Sequence, residues 1–221
     1  MTLSTISFSA GPVSARPPRP LSVYPDPQII DPIHKLNPTI LATHSFDTAP
    51  PIDILIVPGG AGQFLLDNEN NRTMEAFIAS RFDAAQYVLS VCVGATALAR
   101  AGVLKGRRAT TNKAAWKWAT DERHGEGIEW VPSARWVVDG KVWTSSGVAA
   151  GMDMMWAFMG HYYGEALAND TVNAIEYTPH VDPHWDAFAV VHDVSAYTYT
   201  HICVYPLMRR ERLIGAGPGC G

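Results

Sequence analysis

Hydrophobic positions along this chain fall into two kinds of run. "DILIV" (Asp53–Val57) and "QYVLSV" (Gln86–Val91) are nearly unbroken apolar stretches, the pattern of strands covered on both faces. Between them, "NNRTMEAFIASRF" spaces Met74, Phe77, Ile78 and Phe82 at helical intervals, which predicts a helix. "GATALARAGVL" reads as a short helix closed by Gly102, "RRATT" as a strand, and "KAAWKWAT" as another helix. "ARWVVDGKVWTSSG" predicts two short strands joined at Asp139-Gly140, a pair suited to a tight hairpin turn. "VAAGMDMMWAFMGHYYG" predicts a long buried helix, and "EALANDTVNAIEY" a further one. Upstream, "TLSTISFS" (Thr2–Ser9) has strand composition, and "AGPVSARPPRP" stops regular structure. The chain then stays punctuated by proline to Pro51, with one short strand expected near Thr39–Thr43.

Strands alternating with helices predict an α/β fold, a mostly parallel sheet between helical layers. Ligand sites in such sheets collect at the C-terminal ends of strands. Two loops fall there: "PGGAG" after the first covered strand and "CVG" after the second.

The second loop puts Cys92 where a strand gives way to a helix start. A residue at such an elbow is held in a strained backbone and projects out of the turn. The amides opening the next helix favour a thiolate, and Gly94 with Ala95 keeps that helix start uncrowded. Two readings stand side by side. A cysteine between valines serves as a small buried hydrophobe, or it is a nucleophile. The glycine-rich "LIVPGG" one helix earlier, whose free amides suit an oxyanion, favours the second.

Composition narrows the field. With 221 residues, 47% of them hydrophobic, the chain suits one globular domain with a continuous core. A net charge of −4 argues against nucleic-acid binding. No run approaches the roughly 18 apolar residues of a membrane span, and no secretory signal is expected at the N-terminus. Cys92, Cys203 and Cys220 form neither a disulfide framework nor a metal-binding pair, so a reducing, cytoplasmic setting is expected. His180 and His184, with Asp182 and Asp186, lie in a proline-broken stretch that reads as a polar surface loop rather than a metal site. His161 reads as a satisfied core or interface residue. Met152, Met154, Met155, Trp156 and Met159 read as core or dimer packing, Trp116 and Trp118 as packing, and Asp121, Glu122 and Glu126 as a solvated cluster.

Three blocks, "DILIVPGGAG", "SVCVGATALARAGVLKGRRATTNKAAW" and "DGKVWTSSGVAAGMDM", resemble the DJ-1/PfpI superfamily in order and spacing, within a likeness spanning about Thr2 to Val190. Within it they are most similar to the branch of isocyanide (isonitrile) hydratases and their fungal relatives. The resemblance implies a flavodoxin-like three-layer sandwich with a mostly parallel central sheet, of the class I glutamine amidotransferase-like kind and usually a homodimer. It maps the catalytic cysteine to Cys92 and the oxyanion-type amides to Gly60 and Val93, with Gly59 and Asn112 lining the site. It implies a small-molecule substrate and neither metal nor organic cofactor. The implied lyase reaction is thiolate attack on a terminal isocyanide carbon, a thioimidate, and release of an N-substituted formamide after water adds. A glyoxalase-type reaction on 2-oxoaldehydes and a non-catalytic redox-sensing role are the alternatives.

Three departures from the family pattern bear on this. The family's first strand and helix carry an acidic residue beside the nucleophile, in a strand expected to lie next to the elbow strand. This chain starts at what looks like the family's second strand, so no residue here is expected to take that role. Many relatives place a histidine where this chain has Asn112, which cannot act as a base near neutral pH. Related hydratases carry threonine after the cysteine, where this chain has Val93. The family-like domain is expected over 1–193, with 194–221 an extension in which Cys203 and Cys220 are bystanders.

Overall fold

The computed structural model describes residues 42–194. The strand expected at Thr2–Ser9 and the extension with Cys203 and Cys220 lie outside the described residues. So does most of the expected strand at Thr39–Thr43, whose last two residues form no strand.

The central sheet has the order β1-β2-β6-β5. β1 (Ile54–Val57), β2 (Tyr87–Val91) and β6 (Val142–Ser145) run parallel, with Val57 opposite Ser90 and Val91 opposite Ser145. β5 (Trp136–Asp139) pairs antiparallel with β6 through the expected turn, in which Gly140 takes φ +59°. A minor parallel pair, β3 (Arg108–Ala109) with β4 (Glu129–Trp130), stands beside it. The elbow strand β2 therefore has β1 on one side and β6 on the other. The vacant neighbour position expected beside it is not there; among the described residues the open edge belongs to β1.

Both faces of the sheet are covered, as the unbroken apolar runs require. Leu55, Val57, Val88 and Val142 point to one face. They pack with Met74, Phe77 and Ile78 of α2 (Thr73–Phe82) and with Ala97 and Leu98 of α3 (Gly94–Arg100). Ile54, Leu89, Trp136 and Trp143 point to the other, against Met154 and Phe158 of α5 (Val148–Tyr163). The result is a three-layer α/β sandwich. Helix α1 (Gly62–Asn68), not foreseen in the sequence, follows the "PGG" loop. Arg100 at the end of α3 bridges Asp67 of α1 and Glu75 of α2, fixing those helices behind the loop.

The long apolar helix α5 is not wholly buried. Met154 and Phe158 face the sheet, whereas Val148, Met152 and Tyr163 are exposed. One side of a helix on a sheet must face outward, and α6 (Glu165–Ala174) covers only part of that side, with Trp156 donating to Asn169 at 3.1 Å. His161 also lies at the surface, paired through Nε2 with the Tyr87 hydroxyl at 3.1 Å. Short α4 (Trp116–Ala119) and α7 (Ala187–Val191), with a 3-10 turn at Glu122–His124, complete the described elements. Trp116 packs edge-on to Trp130 and Trp118 against Phe64, as packing residues should. Among the described residues no helix is long and apolar enough to cross a membrane.

Candidate active site

The parallel register sets Pro58–Gly60, Cys92 and Ser146–Gly147 side by side at the C-terminal ends of β1, β2 and β6. At the end of β2 the chain turns on Cys92, whose φ of +59° lies in the left-handed region that side chains other than glycine rarely occupy. The turn is held by its own backbone. Cys92 N–H donates to the Ser145 carbonyl at 3.2 Å, and the Cys92 carbonyl accepts the Thr111 hydroxyl at 3.1 Å. Two glycines let the neighbouring loop close on it. A Cβ at Gly59 would lie 2.6 Å from Cys92 Cβ. One at Gly94 would run into the Val57 and Pro58 carbonyl oxygens. Gly60, at φ +146°, has open space where a side chain would project, so the loop's outer face is clear.

Cys92 is half-buried, and two donors reach its sulfur, the Val93 amide and the Asn112 side chain. Asn112 Oδ1 is occupied by the Ala115 N–H at 2.9 Å, which leaves the amide's Nδ2 to face the sulfur. This asparagine therefore orients without being able to take a proton. Burial pushes the thiol above its ordinary 9.0, and the two donors, which pull it down, do not outweigh that. The expectation of a ready-made thiolate is corrected accordingly: the elbow gives the sulfur a position and two hydrogen bonds, while desolvation keeps its proton on. Among the described residues no carboxylate reaches Cys92.

The structure thus brings Cys92, Val93, Asn112 and Gly59 together, with Gly60 next in the loop. It also assembles groups that sequence reasoning missed. Asp153, buried within α5, accepts Arg135 Nε at 2.5 Å, the His180 N–H at 2.8 Å and the Tyr177 hydroxyl. Burial foremost, with the Asp153 carboxylate helping, pushes the Tyr177 phenol up to about 12. Asp186, read as part of a surface loop, is 1% exposed. Its backbone N–H is tied to the Ser133 carbonyl at 2.7 Å, and its side chain caps α7. His184 and Asp182 are exposed as expected. The available signal was Asp153 itself, a carboxylate inside an otherwise apolar helical run.

An α/β sandwich with a mostly parallel central sheet and a cysteine on a strained strand-to-helix turn defines the class: a flavodoxin-like three-layer domain. The DJ-1/PfpI family model matches residues 28–161, and the chain belongs to that family. It is 35% identical to the isonitrile hydratase of Pseudomonas putida over 62% of this chain and 57% of that protein. It is 34% identical to the deglycase TK1284 of Thermococcus kodakarensis over 49% of this chain and 61% of that one. Among solved structures it is similar to a ThiJ/PfpI family protein from Pseudomonas syringae, at 29% identity and a TM-score of 0.57, covering 72% of this chain and 66% of the other. The chain spans little more than half the length of the curated relatives named here.

Proposed function

We propose that this protein is a cysteine-dependent hydratase of the isocyanide-hydratase branch, with its fungal members, converting a small isocyanide to an N-substituted formamide. The observation that carries the reading is the sulfur of Cys92 on its strained turn, with the Val93 amide and Asn112 Nδ2 aimed at it. A thiol that keeps its proton suits this substrate class. The isocyanide carbon is terminal and carries a lone pair that accepts the S–H proton, after which the sulfur bonds to the same carbon. One S–H bond breaks, one C–H and one C–S bond form, and the product is a thioimidate. Water then adds to that carbon, the C–S bond breaks, and the thiol is regenerated as the formamide leaves. In this reading the Gly60 and Val93 amides serve the charge that develops on sulfur and on the added oxygen.

Glyoxalase-type isomerisation needs a base to move a carbon-bound proton. Asn112 offers none, which sets that alternative second. A redox sensor wants an ionised thiol, and burial opposes that here. The proposal extends to a lyase domain over 1–193 that acts in the cytoplasm as a homodimer.

The test is formamide release from an aryl isocyanide, followed by chromatography, for the full chain and Cys92→Ser. Formamide from the native chain, with loss of about a hundredfold or more in Cys92→Ser, is expected. Formamide release that survives the substitution defeats the proposal, as does methylglyoxal turnover without isocyanide turnover.

A further inference from the structure

Thr111 and Asn112, consecutive in the chain, address Cys92 at two different points. Asn112 Nδ2 faces the sulfur, while the Thr111 hydroxyl donates to the Cys92 carbonyl at 3.1 Å. That carbonyl and the Val93 N–H belong to one peptide unit, which is planar and, like every described peptide bond, trans. In a trans unit the C=O and N–H point opposite ways, so whatever fixes the oxygen also fixes the direction of the N–H. This N–H is one of the two donors to the sulfur. A hydrogen bond accepted by the carbonyl also polarises the unit and strengthens its N–H as a donor.

Among the described residues little else holds that carbonyl. Its other donor is the Ala95 N–H at 3.4 Å, long for such a bond. Cys92 stands at φ +59°, a backbone state that persists only where the surroundings determine it. Thr111 is 0% exposed, so bulk water does not stand in for its hydroxyl, and its branched Cβ restricts χ1. The segment that carries it is anchored on either side. The Thr110 N–H donates to Thr144 Oγ1 at 2.9 Å, and the Thr110 hydroxyl to the Val131 carbonyl at 2.9 Å. Lys113 Nζ donates to Thr110 Oγ1 at 2.6 Å and to the Ala134 carbonyl at 2.9 Å. Lys113 also lines, with Asn112, Arg135 and Asp186, a recess of about 240 Å³ on the other side of Asn112, of which Cys92 is not a wall.

We infer that Thr111 is a positioning residue for the elbow: by holding the Cys92 carbonyl, its hydroxyl aims the N–H of the same peptide unit at the sulfur. The bonds form one line, from the Thr111 O–H through the peptide unit to the cysteine. That Thr111 thereby serves hydration of an isocyanide rests on the function proposed above; that it aims the sulfur's donor does not.

The test is iodoacetamide alkylation of Cys92 against pH in the full chain, Thr111→Val and Thr111→Ser, resolved by peptide mass spectrometry. Valine keeps the shape and removes the hydroxyl, whereas serine keeps the hydroxyl. Thr111→Val is expected to slow alkylation at pH 8 by about threefold or more and to move the half-maximal rate to higher pH, with Thr111→Ser close to the native chain. Formamide release by Thr111→Val should lose kcat at an unchanged KM. Should Thr111→Val not fold, Thr111→Ala and Thr111→Ser, which lose the same methyl group and differ only in the hydroxyl, give the same comparison. A lower melting temperature with an unmoved alkylation profile in Thr111→Val, or a Thr111→Ser profile displaced as far as that of Thr111→Val, overturns the inference. A displaced profile in a chain that releases no formamide upholds Thr111 and defeats the hydratase reading alone.

Discussion

The elbow and the recess on the other side of Asn112 are built by opposite means. At the elbow, backbone does nearly everything: a left-handed cysteine, two glycines that permit close approach, and amide donors, with no charged side chain at the sulfur among the described residues. In the recess, Lys113, Arg135, Asp153 and Asp186 meet from four separate segments, and buried charge determines the shape. The difference teaches where each region is fragile. The first should fail when backbone is crowded, the second when a charge loses its partner.

The recess gives the largest expected effect. Asp153→Ala removes the acceptor of Arg135, Tyr177 and the His180 amide and leaves a guanidinium that is 11% exposed without its strongest partner. A loss of about 3–5 kcal/mol is expected from urea denaturation. A loss under half of that would mean the network is solvated and the contrast false. At the elbow, Gly94→Ala drives a methyl group into the Pro58 carbonyl, 2.9 Å away, and should cost about 1–3 kcal/mol in the same assay. A neutral result would show that the loops have slack.

A smaller effect is the pH dependence of stability in the recess. Lys113 has a folded pKa of about 7 against an ordinary 10.5, so above pH 7 the unfolded chain holds more protons than the folded one. Stability should climb from pH 7 towards pH 10. It should then fall above pH 10, as Tyr177, raised in the fold to about 12, ionises first in the unfolded chain. Lys113→Met should flatten the rise and keep the fall, measured by denaturation midpoints. A rise that persists in Lys113→Met would place its origin elsewhere.

The same contrast explains what was legible in the amino-acid sequence. Covered strands, the hairpin and the elbow follow from runs of adjacent residues, because each is a local backbone arrangement. β1, β2, α2 and α3 accordingly fall within a few residues of expectation. Helix α1 was missed because "GQFLLDN" directly follows a glycine-rich loop and has no side-chain cap to announce it. The recess was not legible, since Lys113 and Asp186 are 73 positions apart and only the fold joins them. Reading Asp186 as a surface residue failed because a carboxylate near proline and histidine looks solvated until its backbone is seen tied to Ser133. The ionisation of Cys92 was misjudged for a related reason. Helix amides are visible in the pattern, but the burial that outweighs them is a property of the assembled site.

The sharpest test of the elbow is the rate of iodoacetamide alkylation at Cys92 as a function of pH, resolved by peptide mass spectrometry from Cys203 and Cys220. The thiolate is the reacting form, so the rate should reach half its maximum above pH 9.0, and Asn112→Ala should move that midpoint higher still. A plateau already reached by pH 7, or a midpoint indifferent to Asn112→Ala, would contradict a sulfur that is positioned by backbone and two donors but kept protonated by burial.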